Sequence, residues 1–171
     1  VLVSRNDNYN GDSVGRLVNT VNHTGEIIAK NKVEDQSEIV LVDWCSKKEP
    51  LKTAIASRLG AEAKRVLKIV TVPPDIANRH QKDSPFSEVH AMNVGFRKQT
   101  GKHFARIDQD TLIGQRFMDW FYNEYEVKDY GWPWPRAAFS SRRNLNEDQS
   151  HHSVFRDYIY DQKLSKTVDI C

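Results

Sequence analysis

The sequence predicts an α/β domain in which a mostly parallel sheet is flanked by helices. Three observations carry this expectation. Strand-sized apolar runs alternate with stretches of helical periodicity, in the order β-α-β-α-β-α-β over residues 1–107. Glycine and proline stand where those periodicities change. Acids close the second and fourth predicted strands, at Asp43 and at the pair Asp108 and Asp110, the end of the strands where an open α/β sheet places its ligand.

Val1, Leu2 and Val3 form the first predicted strand, and the polar run 4–12 is a loop by its Asn, Asp and Gly content. Val14, Leu17, Val18 and Val21 recur at helical spacing. Residues 22–36 are mostly polar and read as a surface excursion. The clearest strand covers 38–44, a continuous apolar run suited to burial on both faces. Leu51, Ala54, Ile55 and Leu59 make the next helical stripe, stopped by Gly60. Residues 65–72 form a third strand, ended by Pro73-Pro74 because proline cannot donate to a ladder. Ser84-Pro85 reads as an N-cap with proline at the first helical position. That helix runs to about Gln99, with Val89, Met92 and Phe96 on one face and Gly101 near its end. Residues 103–107 are the fourth strand. Beyond Asp110, Phe117, Trp120 and Phe121 suggest a further helix, residues 130–136 a rigid aromatic loop, and 154–160 an ambiguous apolar-aromatic run.

A chain of 171 residues is long enough for one domain with a sizeable core. Its 25 basic and 23 acidic residues are balanced, so no single-sign field points to nucleic acid or an anionic membrane. No segment approaches the ~20 apolar residues of a bilayer span. Cys45 and Cys171 form neither a disulfide framework nor a metal-ligand pattern, and this cysteine usage does not demand an oxidising compartment. The chain opens at Val1 inside a predicted strand, which points to a natural protein that extends upstream.

Four blocks, in order, resemble a family 2-type glycosyltransferase domain with the GT-A fold. They are Val3-Ser4-Arg5-Asn6-Asp7, Ile39-Val-Leu-Val-Asp43, Ala91-Met-Asn-Val-Gly-Phe-Arg97 and Ile107-Asp-Gln-Asp110. The Ser-Arg-Asn-Asp opening and the Val-Pro-Pro after the third strand are similar to an uncharacterised glycosyltransferase-like subgroup. The resemblance covers residues 1–115 as a nucleotide-sugar-binding half, and leaves 116–171 as a short acceptor-side or capping segment. It implies that Ser4, Arg5, Asp7, Asp43 and Asp108 contact the nucleotide. Asp108 and Asp110 would bind Mn²⁺ or Mg²⁺, whose hard charge suits carboxylate and phosphate oxygens. Arg97, or Arg5, would supply a charge-assisted contact to phosphate. An inverting transfer needs a general base, for which the resemblance offers Asp148 of Glu147-Asp148. The donor is a nucleotide diphosphate sugar, expected to be uridine-linked, and the acceptor an unspecified glycan, lipid or protein.

Each residue also has a plainer role. Asp110 could cap a helix starting near Thr111, Asp43 could hold a turn, and Arg97 could be a solvated charge. Glu147-Asp148 could be the acidic first turn of a helix capped by Asn144 or Asn146. Trp132 and Trp134 could stack on a sugar or lid a core. His151 and His152 are adjacent and poorly placed to chelate together. Asn22-His-Thr24 matches the glycosylation acceptor pattern. Two further functions compete: a non-catalytic glycosyltransferase-like binding domain, and a nucleotidyltransferase. The latter calls for a glycine-rich basic first loop, whereas residues 4–12 hold one glycine and one arginine.

Overall fold

The computed structural model describes residues 1–9, 11–81, 84, 86–101, 103–119, 121–122 and 142–143. The sheet is built from β1 (Leu2–Ser4), β2 (Ile39–Trp44) and β3 (Leu67–Val72), all parallel in the order β1-β2-β3. Ser4 lies opposite Asp43, and Asp43 opposite Thr71, so the three strands end together. Every residue of β2 is buried. Ile39 and Leu41 face one core, while Val40, Val42 and Trp44 face the other side of the sheet. That is the double burial a continuous Ile-Val-Leu-Val run calls for.

A fourth extended segment, 104–108, lies beside β1. The Val1 nitrogen donates to the Ala105 carbonyl at 2.7 Å and the Ile107 N–H to the Val1 carbonyl at 3.0 Å. One residue bonding to positions either side of a single partner is the parallel-ladder pattern. The predicted fourth strand is thus an extended segment with two ladder bonds, not a regular strand. It gives the order β3-β2-β1-segment, which reverses direction beside β1. An α/β sheet opens its ligand crevice at such a reversal.

α1 (Ser13–Lys30) packs on one face, and α5 (Glu88–Lys98) on the other. α1 is 18 residues long, so the expected surface excursion at 22–36 gives way to helix as far as Lys30. Thr24, Gly25, Ile27 and Ile28 are buried there, continuing the stripe begun by Leu17 and Val21 through small and polar residues. The predicted helix at 51–59 is only α2 (Leu51–Ala54) and a 3₁₀ turn, Ala56–Arg58. Gly60, expected as a stop, is the N-cap of α3 (Ala61–Val66). Pro73-Pro74 ends β3 as expected but also starts α4 (Pro74–His80), with proline in the first turn, where its missing N–H costs nothing. α5 begins at Glu88, after Ser87, later than the Ser84-Pro85 start. Its buried side is Ala91, Met92 and Gly95, whereas Val89 is 70% exposed. After β4 (Thr111–Leu112) comes α6 (Gln115–Asp119), and β4 pairs antiparallel with β5 (Arg142–Arg143). No described helix is long and apolar enough to cross a membrane.

Two glycines set how closely these layers approach. A Cβ on Gly95 would lie 2.4 Å from a Val1 methyl. One on Gly25 would lie 2.5 Å from the Ala63 Cα and 2.6 Å from its nitrogen. The α1–α3 crossing therefore rests on backbone against backbone, with no side-chain end free to yield. Beside it, Asn22 accepts from the Gly60 N–H at 2.9 Å and donates to the Arg58 carbonyl at 3.0 Å. The glycosylation-pattern asparagine thus has its amide engaged in tying α1 to the start of α3. Gly25→Ala is expected to destabilise the fold by about 1–3 kcal/mol through overpacking. A chemical-denaturation midpoint unchanged from the parent protein would show that the crossing can open.

Candidate functional site

At the carboxyl ends of the strands, the loop after β1 and the loop after β2 are tied together. Asp43 is fully buried: one carboxylate oxygen accepts from the Ser46 N–H and hydroxyl, the other from the Leu51 N–H at 2.8 Å. The Ser46 hydroxyl in turn accepts from the Asn6 N–H at 2.9 Å, and the Asn6 amide donates to the Glu49 carbonyl at 3.1 Å. Asp43 thus forms the turn leading into α2, and sends its influence to the first loop through Ser46.

The first loop makes a tight excursion before α1. Asn8, Gly11 and Asp12 all have positive φ, a conformation Asn, Asp and Gly tolerate best. The Arg16 guanidinium donates to the Gly11 and Tyr9 carbonyls, and Asp12 accepts from the Gly15 N–H to cap α1. Arg5 is paired with Asp7 and lies 5.6 Å from the centre of the Phe86 ring. Asp7 also accepts from the Tyr9 N–H at 3.0 Å.

The acid pair is held by the residue between its members. Gln109 accepts from the Ser4 hydroxyl through its side chain and from the Thr20 hydroxyl, at 3.0 Å, through its carbonyl. The Thr111 N–H donates to the Asp108 carbonyl at 3.1 Å, closing a turn over Gln109 and Asp110. Further on, the His23 Nε2 meets the Ile113 carbonyl at 2.7 Å, fixing the exit from that turn against α1. Asp110 caps no helix, because Thr111 and Leu112 form β4.

Ser4, Arg5, Asp7, Asp108 and Asp110 line one cavity of about 500 Å³, with Tyr9, Phe86, Glu88 and Arg106 among its other walls. This is within the range of small-molecule sites. Four of these lining side chains are carboxylates and two are guanidiniums. Asp108 Oδ1 accepts from Arg106 Nε at 2.9 Å, and Arg106 also pairs with Glu88. No described residue gives Asp110 a hydrogen bond or ion pair.

Asp43 and Arg97 are not among the cavity's walls. Arg97 is exposed near the C-terminal end of α5, roughly 13 Å along the helix from Glu88 at the cleft. Among the described residues, the cation bonded to the acid pair is Arg106, which the sequence reading missed. Its signal was its place two residues before Asp108 on an extended segment, which puts both side chains on the same side. Asp148, Trp132, Trp134, His151 and His152 lie outside the described residues.

Among the described residues, no three His, Cys, Asp or Glu side chains converge on a common point. A divalent cation here would have Asp110, the second oxygen of Asp108, and oxygens from a ligand. Mg²⁺ commonly binds in this way, through one or two carboxylates plus substrate phosphates.

No family model matches the chain, and no curated protein matches it. A crystal structure of S. aureus TarS, residues 1–349, is similar to it at 17% identity and a TM-score of 0.48, covering 79% of this chain. This chain spans 37% of that one. The likeness is one of outline and decides nothing about the site.

Removing the Asp43 carboxylate leaves the buried Leu51 N–H and the half-buried Ser46 N–H without an acceptor. Asp43→Ala is expected to cost about 3 kcal/mol, on the scale of orphaned buried donors, as read by urea denaturation. A loss below about 1 kcal/mol would show that the carboxylate does not hold the turn.

Proposed function

We propose that the protein transfers a sugar from a nucleotide diphosphate donor, with Mn²⁺ or Mg²⁺ bound at Asp108 and Asp110. The observation that carries this reading is the placement of the acid pair. It opens into a cavity at the sheet's reversal point, facing the loop after β1, where α/β domains bind nucleotides. The glycosyltransferase resemblance, of whose four blocks the acid pair is one, supports it from the sequence.

Within this reading, Asp110 is the principal cation ligand, because its carboxylate is not engaged by described residues. Asp108 contributes the oxygen left over from Arg106. When bound, the cation would act as a Lewis acid on the diphosphate oxygens and stabilise the departing nucleotide. Ser4 acts indirectly, by fixing Gln109 and so the direction of both acids. Arg5 and Asp7 brace the first loop, and the exposed Tyr9 ring and the Phe86 ring offer aromatic faces at the rim for a base. Asp43 serves the same site from a distance, by shaping the loop after β2. A uridine-linked donor and inversion at the sugar follow from the family resemblance. The acceptor is a glycan, lipid or protein hydroxyl, and Asp148 remains the sequence's candidate for the base.

The test is a thermal-shift screen of nucleoside diphosphates with and without Mn²⁺. A ligand at about 100 times its Kd stabilises by about 2.7 kcal/mol, a rise of roughly 5–10 °C for a chain of this size. UDP is expected to give this shift only with Mn²⁺, and Asp110→Ala to abolish it. A metal-independent shift that survives Asp110→Ala would remove the acids from the site. Binding without hydrolysis of any UDP-sugar would favour the non-catalytic reading.

A further inference from the structure

Arg106 stands between two carboxylates of different kinds. Its Nε and one terminal nitrogen both lie 2.9 Å from Asp108 Oδ1, and that same terminal nitrogen also pairs with Glu88, the first residue of α5. The three side chains are partly exposed, Arg106 at 24%, Glu88 at 43% and Asp108 at 47%, and all line the cavity with Asp110. The guanidinium is therefore within reach of a bound anion. It also occupies an oxygen that a cation on the acid pair would compete for.

The geometry points to Arg106 as a positioning residue that makes cation binding and diphosphate binding depend on one another. Without ligand, the guanidinium holds Asp108 Oδ1 and opposes a cation there by like charge. A diphosphate offers it anionic oxygens of the kind a planar fork binds best. When the guanidinium turns to the diphosphate, Asp108 Oδ1 is released to the cation beside the oxygen already open to it. Glu88 keeps the arginine at the cleft in both states, which is why one guanidinium can serve two partners without leaving the wall. This rests on the functional reading above for the identity of the anion, but the hold on Asp108 stands apart from it.

The experiment measures the affinity of Mn²⁺ alone, by electron paramagnetic resonance of free Mn²⁺, and again with saturating UDP. In the parent protein, UDP is expected to tighten Mn²⁺ binding by at least about fivefold, the lower end of ordinary coupling between sites. Arg106→Gln is expected to bind Mn²⁺ alone more tightly and to lower the coupling factor, the direct cation–diphosphate contact keeping it above one. Arg97→Gln removes the same charge from outside the cleft, and is expected to leave both quantities unchanged. If Arg106→Gln does not fold, Arg106→Lys keeps the charge without the fork, and its coupling is expected to fall between those limits. Coupling that stays at the parent value in the folded Arg106 variant, or that falls equally in Arg97→Gln, would overturn the inference. If UDP does not bind the parent protein, the donor reading fails on its own. The measurement with Mn²⁺ alone then decides: tighter binding in Arg106→Gln keeps the hold on Asp108, and unchanged binding removes it.

Discussion

The hydrogen bonds joining the Val1 nitrogen to Ala105 and the Ile107 nitrogen to Val1 seat the 104–108 segment against β1. The remaining geometry of the cleft follows from that seating. Because the segment lies on the far side of β1 from β2, the strand order reverses there, and the chain after Ile107 turns back onto α1 through Gln109 and Ile113. The crevice opens at that reversal, between the loop after β1 and the acid turn. Ser4 and Thr20 then reach Gln109 from β1 and α1, so the acid turn is attached to the two elements that border the crevice.

Among the described residues, the cavity is lined by more carboxylates than guanidiniums. Arg5 is matched by Asp7, and Arg106 is shared between Glu88 and Asp108, which leaves Asp110. The Arg106 pairs are partly exposed, and such pairs contribute little to stability. Their effect is to orient side chains and to set which charge a ligand must bring.

Much of the fold was legible because strong periodicity and strong burial coincide in it. β2 is a continuous apolar run at the centre of the sheet, and the parallel order followed from alternating strands and helices. What escaped reading were elements whose stability comes from neighbours. The second half of α1 is buried through Thr24 and Gly25, residues with little hydrophobic signal, because α3 approaches too closely for anything larger. α3 and α4 are short and begin at a glycine and at prolines, which read equally well as stops. Ser4, Arg5, Asp7, Asp108 and Asp110 were named from strand-end position and motif, and they line one cavity. Arg97 was named and Arg106 passed over, since which end of α5 meets the cleft is a three-dimensional fact. Asp43 was equally ambiguous until Leu51 and Ser46 were seen to take up its oxygens.

The spacer of the acid motif is the member whose side chain is bonded to β1. Gln109 meets a strand hydroxyl with its side chain and a helix hydroxyl with its carbonyl, while the acids on either side reach into the cavity. Tolerance to substitution should therefore invert with what is selected. A library sorted only for folded, protease-resistant protein would be stringent at 109 and permissive at 110. The same library sorted for ligand capture would be stringent at both. The difference between the two profiles would map scaffold and chemistry separately along three consecutive residues.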